Sequence, residues 1–321
     1  MKKLMVALGT TAFMALSVPV MAQQSRPIPA EASQAMKDAT LMLEQVRASN
    51  LDRWWRANAI ARLARTQGRV GDLEIVRTLG LDTVLVLREE SQSTPPPPAL
   101  SEAATFAIRA QAYADVREPQ GTTEAVNEAL RLVGPEPAVR AAVMPVAAQA
   151  LVEIGNRDGA AQLALEGLKA AAQLPPGRDR LAALSTIAIV QGKLGDRDMA
   201  QATLAAVKES LPANAGLADK AAALAHIARA QAAGGDTNGA RTSTRDAVKT
   251  YDLSVNETNV TMGQRVATLA LISVAQAEAG DKGAGRQILR VARQTASSIT
   301  GPYEKLLALV TLADASMIVE R

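Results

Sequence analysis

The strongest constraint in this chain is a unit that keeps returning. From Arg180, RLAALSTIAIVQGKLGDRDMAQATLAAVKESL places Leu184, Ile187, Ala188 and Gln191 at offsets +4, +7, +8 and +11. That spacing lays one stripe along one helix face. Gly195 follows, where a helix can end on a left-handed residue without a Cβ penalty. Asp196 comes next and suits the N-cap of a second helix, whose stripe is Ala200, Leu204 and Val207. The unit therefore reads as helix, tight turn and antiparallel helix. One such hairpin cannot bury both faces and needs neighbours.

The neighbours are present. Basic residues head the units at Arg140, Arg180, Lys220, Arg265 and Lys305, spaced 40, 40, 45 and 40 residues, and Arg56 heads an earlier one. The turn recurs as Gly71-Asp72, Gly155-Asn156, Gly195-Asp196, Gly235-Asp236 and Gly280-Asp281. A near-fixed period of this length is the signature of a solenoid. The expected fold class is all-α, an α-solenoid of about six antiparallel helix hairpins over residues 33–321.

Several segments depart from the period. Ser33–Ser49 has helical spacing through Met36, Ala39, Leu43 and Val46 and reads as an N-terminal capping helix, against which Trp54 or Trp55 should pack. Leu73–Glu90 reads as a second helix interrupted near Gly80. Residues 91–98, within SQSTPPPP, read as a stiff polyproline connector. Ala99–Gly134 is the least regular unit, with helices expected over Ser101–Val116 and Thr122–Val133. The last helix, after Gly301-Pro302, has no following partner and reads as a C-terminal cap.

The first residues look like an export signal. Lys2 and Lys3 precede a mostly apolar run from Leu4 to Val20, and Val20-Met21-Ala22 is a small-x-small cleavage site. The reading is a signal peptide over 1–22, a disordered leader over 23–32, and a mature chain in a bacterial periplasm with no stable membrane span. Loss of two lysines leaves 33 basic against 32 acidic residues. That balance gives no electrostatic case for nucleic acid.

Chemistry is hard to find. There is no Cys and one His, His226, so no His/Cys zinc cluster can form. His226 is expected on a helix surface. The segment 234–239 follows a helix and lacks the Lys-Ser/Thr ending of a phosphate loop. The recurring acids Asp72, Asp196, Asp236 and Asp281 have sufficient work as helix caps. No catalytic residue, metal ligand or cofactor is assigned. Two ladders remain. The basic heads oppose the macrodipole of the helices they begin, so they should pair with neighbouring acids or present a row of charge to an acidic partner. Gln67, Gln191, Gln231 and Gln276 should form a stack of buried amides bonded to backbone or to each other.

The order of small and large residues, with Ile187-Ala188, Gly195-Asp196 and Ala200 at matching offsets, resembles a tetratricopeptide repeat. The period departs from that family's 34 residues, and Gln stands at its aromatic position. The resemblance implies a right-handed superhelix whose first helices line a concave partner-binding face. Carried over by position, offsets +2, +5, +9, +12 and +13 select Asn58, Arg65, Arg69, Gln149, Glu153, Lys193, Arg229 and Glu278. The expectation is a non-enzymatic scaffold holding a protein or peptide on that face. The alternative is an accessory protein binding cell-wall glycan or polysaccharide. A third reading, an enzyme, would need two acids whose pKa values are driven apart.

Overall fold

The computed structural model describes residues 28–89, 98, 101–211 and 215–320. The export segment, the leader up to residue 27 and the prolines at 95–97 lie outside these. Among the described residues there are fourteen helices and no strand: α1 Ala30–Arg47, α2 Arg53–Val70, α3 Leu73–Leu87, α4 Glu102–Asp115, α5 Pro119–Leu132, α6 Pro137–Glu153, α7 Arg157–Ala172, α8 Arg178–Leu194, α9 Arg197–Glu209, α10 Leu217–Ala233, α11 Thr237–Ser254, α12 Met262–Glu278, α13 Lys282–Ser297 and α14 Pro302–Val319. Helix α1 starts inside the stretch expected to be disordered, and α3 runs through Gly80 without a break. Gly80 makes room for α4: a Cβ there would stand 3.1 Å from Arg109 Nε and Tyr113 Oη, a tight contact with side-chain ends.

The hairpin turns obey the sequence signal. Gly195 has φ +82°, and the glycines at 71, 155, 235 and 280 take the same left-handed conformation. The next residue caps the outer helix in each case. Asp72, Asn156, Asp196, Asp236 and Asp281 accept the N–H of Ile75, Gly159, Met199, Gly239 and Ala284 at 2.8–3.2 Å. The glutamine ladder contributes its main chain, with the carbonyls of Gln67, Gln191, Gln231 and Gln276 taking the N–H of Asp72, Asp196, Asp236 and Asp281. The side chains do not behave as one set: Gln231 Oε1 accepts from Ser243 at 2.8 Å, whereas the buried Gln191 Oε1 makes no hydrogen bond.

The basic heads also find their reason. Four of them begin an inner helix and reach back to the end of the preceding outer one. Arg180 donates to the Leu174 carbonyl at 3.3 Å, Arg140 to Gly134 at 3.5 Å, Arg265 to Glu257 at 2.6 Å, and Lys305 to Ala296. A cation there satisfies free C-terminal carbonyls and sits at the favourable end of a macrodipole. Pairing with an acid is added at Arg56–Glu89 and Arg140–Glu166.

The even-numbered helices form the inner layer, each packed on the next from α2 to α14, and α14 packs on α2. The array therefore closes into a ring. Helix α14 is the seventh inner helix, not a cap, and its outer partner is α1, from the opposite end of the chain. Leu306, Leu309 and Val310 of α14 share a buried cluster with Leu43 and Val46 of α1 and Ile60 and Leu63 of α2, and Trp54 packs against the same cluster. At the α14–α2 seam Trp55 meets Tyr303 edge-on, with centroids 5.1 Å apart. Arg293 of α13 clasps the chain ends, pairing with Glu31 of α1 and, at 3.3 Å, with Glu320 after α14.

Candidate functional site: the central lumen

Closing seven inner helices into a ring leaves a cavity of about 610 Å³ lined by all seven. Its walls are layered. Offsets +2, +6, +9 and +13 from each head advance by four, three and four residues, so they make one stripe on a helix. Helix α4 joins the pattern when counted from Glu102. The stripe spans eleven residues, or roughly 16 Å of depth at 1.5 Å per residue.

Each layer has its own chemistry. The +2 layer, at the N-terminal mouth, is Ala104, Ala142, Ala182, Ala222 and Ala267. The +6 layer is Arg62, Ile108, Val146, Thr186, His226, Leu271 and Thr311. The +9 layer is Arg65, Gln111, Gln149, Ile189, Arg229, Val274 and Asp314. The +13 layer holds Arg69, Asp115, Glu153, Lys193, Glu278 and Ile318, around a smaller space of about 220 Å³.

Seven of the eight residues selected from the sequence meet in this lumen: Arg65, Arg69, Gln149, Glu153, Lys193, Arg229 and Glu278. Asn58 does not, for it is fully buried and accepts from Arg62 Nε at 2.8 Å. The whole +6 layer was missed, because the carried-over register pointed to +5 instead. Asp314 was missed because α14 was read as a cap, although it stands at +9 from Lys305.

The lower layers form a belt of mutual pairs. Lys193 pairs with Glu153, Arg229 grips Glu278 at 2.9 and 3.1 Å, and Gln111 donates to Gln149 at 2.7 Å. Arg69 lies 3.6 Å from Asp115 and 3.7 Å from Asp314, and Arg65 lies 3.9 Å from Asp115. These last separations attract but exceed hydrogen-bond length, and Arg65 Nε, Asp115 Oδ2 and Asp314 Oδ1 make no hydrogen bond. Burial pulls the Arg65 pKa down to about 10, with Arg69 adding to the effect. Burial likewise pushes the Asp115 carboxyl up, against the pull of Arg69 and Arg65. Arg69 is held above its ordinary value, because Asp314 and Asp115 together outweigh the burial that opposes them.

His226 faces the lumen across from α2, not the outer surface. The ring is partly accessible from the cavity, but protein surrounds it. Burial, then the charge of Arg229, lowers its pKa from 6.5 to about 4. The imidazole is neutral at pH 7. Between about pH 6.5 and 4 the unfolded chain takes up this proton and the folded chain does not, so stability falls as pH falls. The shift sets an upper bound of about 3 kcal/mol, moderated by lumen water. Urea midpoints of the parent should decline over this window more steeply than those of His226→Gln. Parallel curves would show that His226 does not titrate as placed.

One acid pair does have its protons driven apart, at the clasp. Glu31 is lowered by a hydrogen bond from Glu320, which outweighs its burial, and Glu320 is raised by burial and by the charge of Glu31. Glu31 and Arg293 border a second cavity of about 480 Å³ between α1, α13 and α14. Among the described residues no group of three or more His, Asp or Glu could hold a metal ion, and no helix is long and apolar enough to cross a membrane. Comparison with protein-family models, with curated proteins and with solved structures found no match.

Proposed function

We propose that this chain is an exported, non-enzymatic binding protein, a tetratricopeptide-like array that takes an extended polypeptide segment of a partner into its lumen. The observation that carries the reading is the convergence of all seven inner helices on one cavity of about 610 Å³. Its alanine mouth leaves width for a main chain, and Thr186, Thr311, Gln111 and Gln149 offer neutral hydrogen-bonding groups to one. The charged belt argues for holding over chemistry, since its acids are paired with arginine and lysine. The Glu31–Glu320 pair reads as a clasp, because Arg293 engages both where three helices end. A bacterial periplasm is the proposed location, supported by the N-terminal lysines, apolar run and cleavage site. The glycan reading is weaker: no Trp, Tyr or Phe stands among the lumen-lining residues to stack on a sugar.

Filling the mouth tests the proposal without unpairing the belt. Random peptides of about eight residues, within reach of an extended chain at roughly 3.3 Å per residue, would be selected on the mature chain. Enriched peptides should lose at least tenfold in affinity for Ala182→Trp/Ala222→Trp and none for Leu165→Trp on the outer surface. Equal binding by all three proteins would place the site outside the lumen and sink the reading.

A further inference from the structure

The charges in the lumen do not cancel layer by layer. Taken together the +9 and +13 layers balance, Arg65, Arg69, Lys193 and Arg229 against Asp115, Glu153, Glu278 and Asp314, with Lys193 on Glu153 and Arg229 on Glu278. The +6 layer is different. Its seven members include one permanent charge, Arg62, beside Ile108, Val146, Thr186, Leu271, Thr311 and the neutral His226. Among the described residues Arg62 has no acidic partner. Its Nε is spent on the Asn58 side-chain oxygen, which fixes the guanidinium while leaving its outer nitrogens for another group. Arg65, one turn deeper on the same helix face, is only partly compensated: its nearest acid is 3.9 Å away, and its Nε makes no hydrogen bond.

We infer that the lumen is a receptor for a carboxylate, held between Arg62 and Arg65, with the ligand's uncharged body running out through the alanine layer to the mouth. Arginine side chains i and i+3 on one helix face present donor forks that suit the two oxygens of a carboxylate. Arg62 is open to solvent inside the lumen and Arg65 is half-buried, so the charge-assisted bond to Arg65 is the better shielded of the two. The body meets Ala182, Ala222 and Ala267 at the mouth and Leu271 beside the arginines, with Asp179 also in the lining, so an aliphatic or small-residue chain fits and a second carboxylate does not. Two sources share this chemistry: the C-terminus of a polypeptide and a free aliphatic carboxylic acid. The inference rests on the lumen being the binding site, and it names the group that the lumen selects.

The test compares acids with their amides. Calorimetry on the mature chain would use octanoate against octanamide, and alanine tetrapeptide with a free C-terminus against its C-terminal amide. At least one acid should bind about tenfold or more tightly than its amide. Arg62→Gln should abolish that preference and Arg62→Lys should retain part of it, both with thermal melts like the parent's. A preference unchanged in Arg62→Gln overturns the assignment, as does failure of both acids to bind at millimolar concentration. If tetrapeptide acid and amide bind alike and octanoate does not bind, this inference falls while the peptide reading stands. Octanoate binding through Arg62 with no peptide binding does the reverse, keeping the carboxylate receptor and removing the polypeptide source.

Discussion

A chain ending at Gly301 is expected to melt at least about 15 °C below the intact protein and to expose apolar surface to a hydrophobic dye. Helix α14 has no solvent face: from Leu306 to Val319 no side chain is exposed, and Leu306, Leu312, Met317 and Val319 are at most 2% accessible. Burying one such side chain is worth about 1.5–3 kcal/mol. These four alone approach the 5–15 kcal/mol that typically stabilises a whole domain. In an open solenoid, removing a terminal helix disturbs only its nearest neighbour. In the ring, α1, α2, α12 and α13 all lose their contact with α14 at once. A loss of about 1 kcal/mol lowers the melting temperature of a protein this size by roughly 2 °C, which sets the expected shift. A truncated chain melting within a few degrees of the parent would mean that α14 is the dispensable cap its position in the sequence suggests.

The second large effect is at Gly68, where α2 crosses α4. Helix propensity alone favours Gly68→Ala by about 1 kcal/mol. Packing opposes it: a Cβ at Gly68 would stand 2.5 Å from the Ala112 carbonyl oxygen and 3.3 Å from Asp115 Cβ. Backbone cannot step aside as the tip of a side chain can, so packing wins. Gly68→Ala should destabilise by about 1–3 kcal/mol and Gly68→Val by more, read from urea midpoints. The shift would also move Asp115 away from Arg65 and Arg69, loosening the belt. Gly283→Ala is the contrasting case. Its Cβ would meet only Asp281 Oδ1, at 3.5 Å, so propensity should prevail and stability should hold or rise. Stabilisation by Gly68→Ala would show that the two helices are not in close approach.

What could be read from the residues was local. A Gly with positive φ followed by a capping Asp or Asn is written plainly at five turns, because turn chemistry involves neighbours in the chain. The +9 and +13 positions were legible for the same reason: a stripe on a helix is a matter of period. Curvature was not legible. Whether six hairpins stay open or bend round until α14 meets α1 depends on small angles summed over every packed pair, and no single residue encodes that sum. A signal was nonetheless available. A capping helix needs a polar outer face, and after Lys305 YEKLLALVTLADASMIV offers only Thr311, Asp314 and Ser316 among apolar residues. The α4–α5 unit hid its lumen residues Gln111 and Asp115 because it has no basic head and turns at Arg117, a non-glycine residue with φ +56°. Arg62 and His226 escaped because a register borrowed from a 34-residue repeat misses the +6 position in a ring of longer units.

Closure of the ring is the claim on which the lumen, its layers and its carboxylate preference all depend, and one cross-linking measurement tests it. The chain contains no cysteine, so Trp55→Cys/Tyr303→Cys carries a unique pair at the α14–α2 seam, where the parent rings are 5.1 Å apart. A short bis-maleimide should join the two sites within one monomer, giving a cyclised product of altered gel mobility that neither single-cysteine variant forms. An open array would hold these sites several helix diameters apart, each about 10 Å, and the same treatment would yield only unlinked monomers or intermolecular dimers. That outcome, from a variant retaining the parent's helical content, would contradict the closed ring.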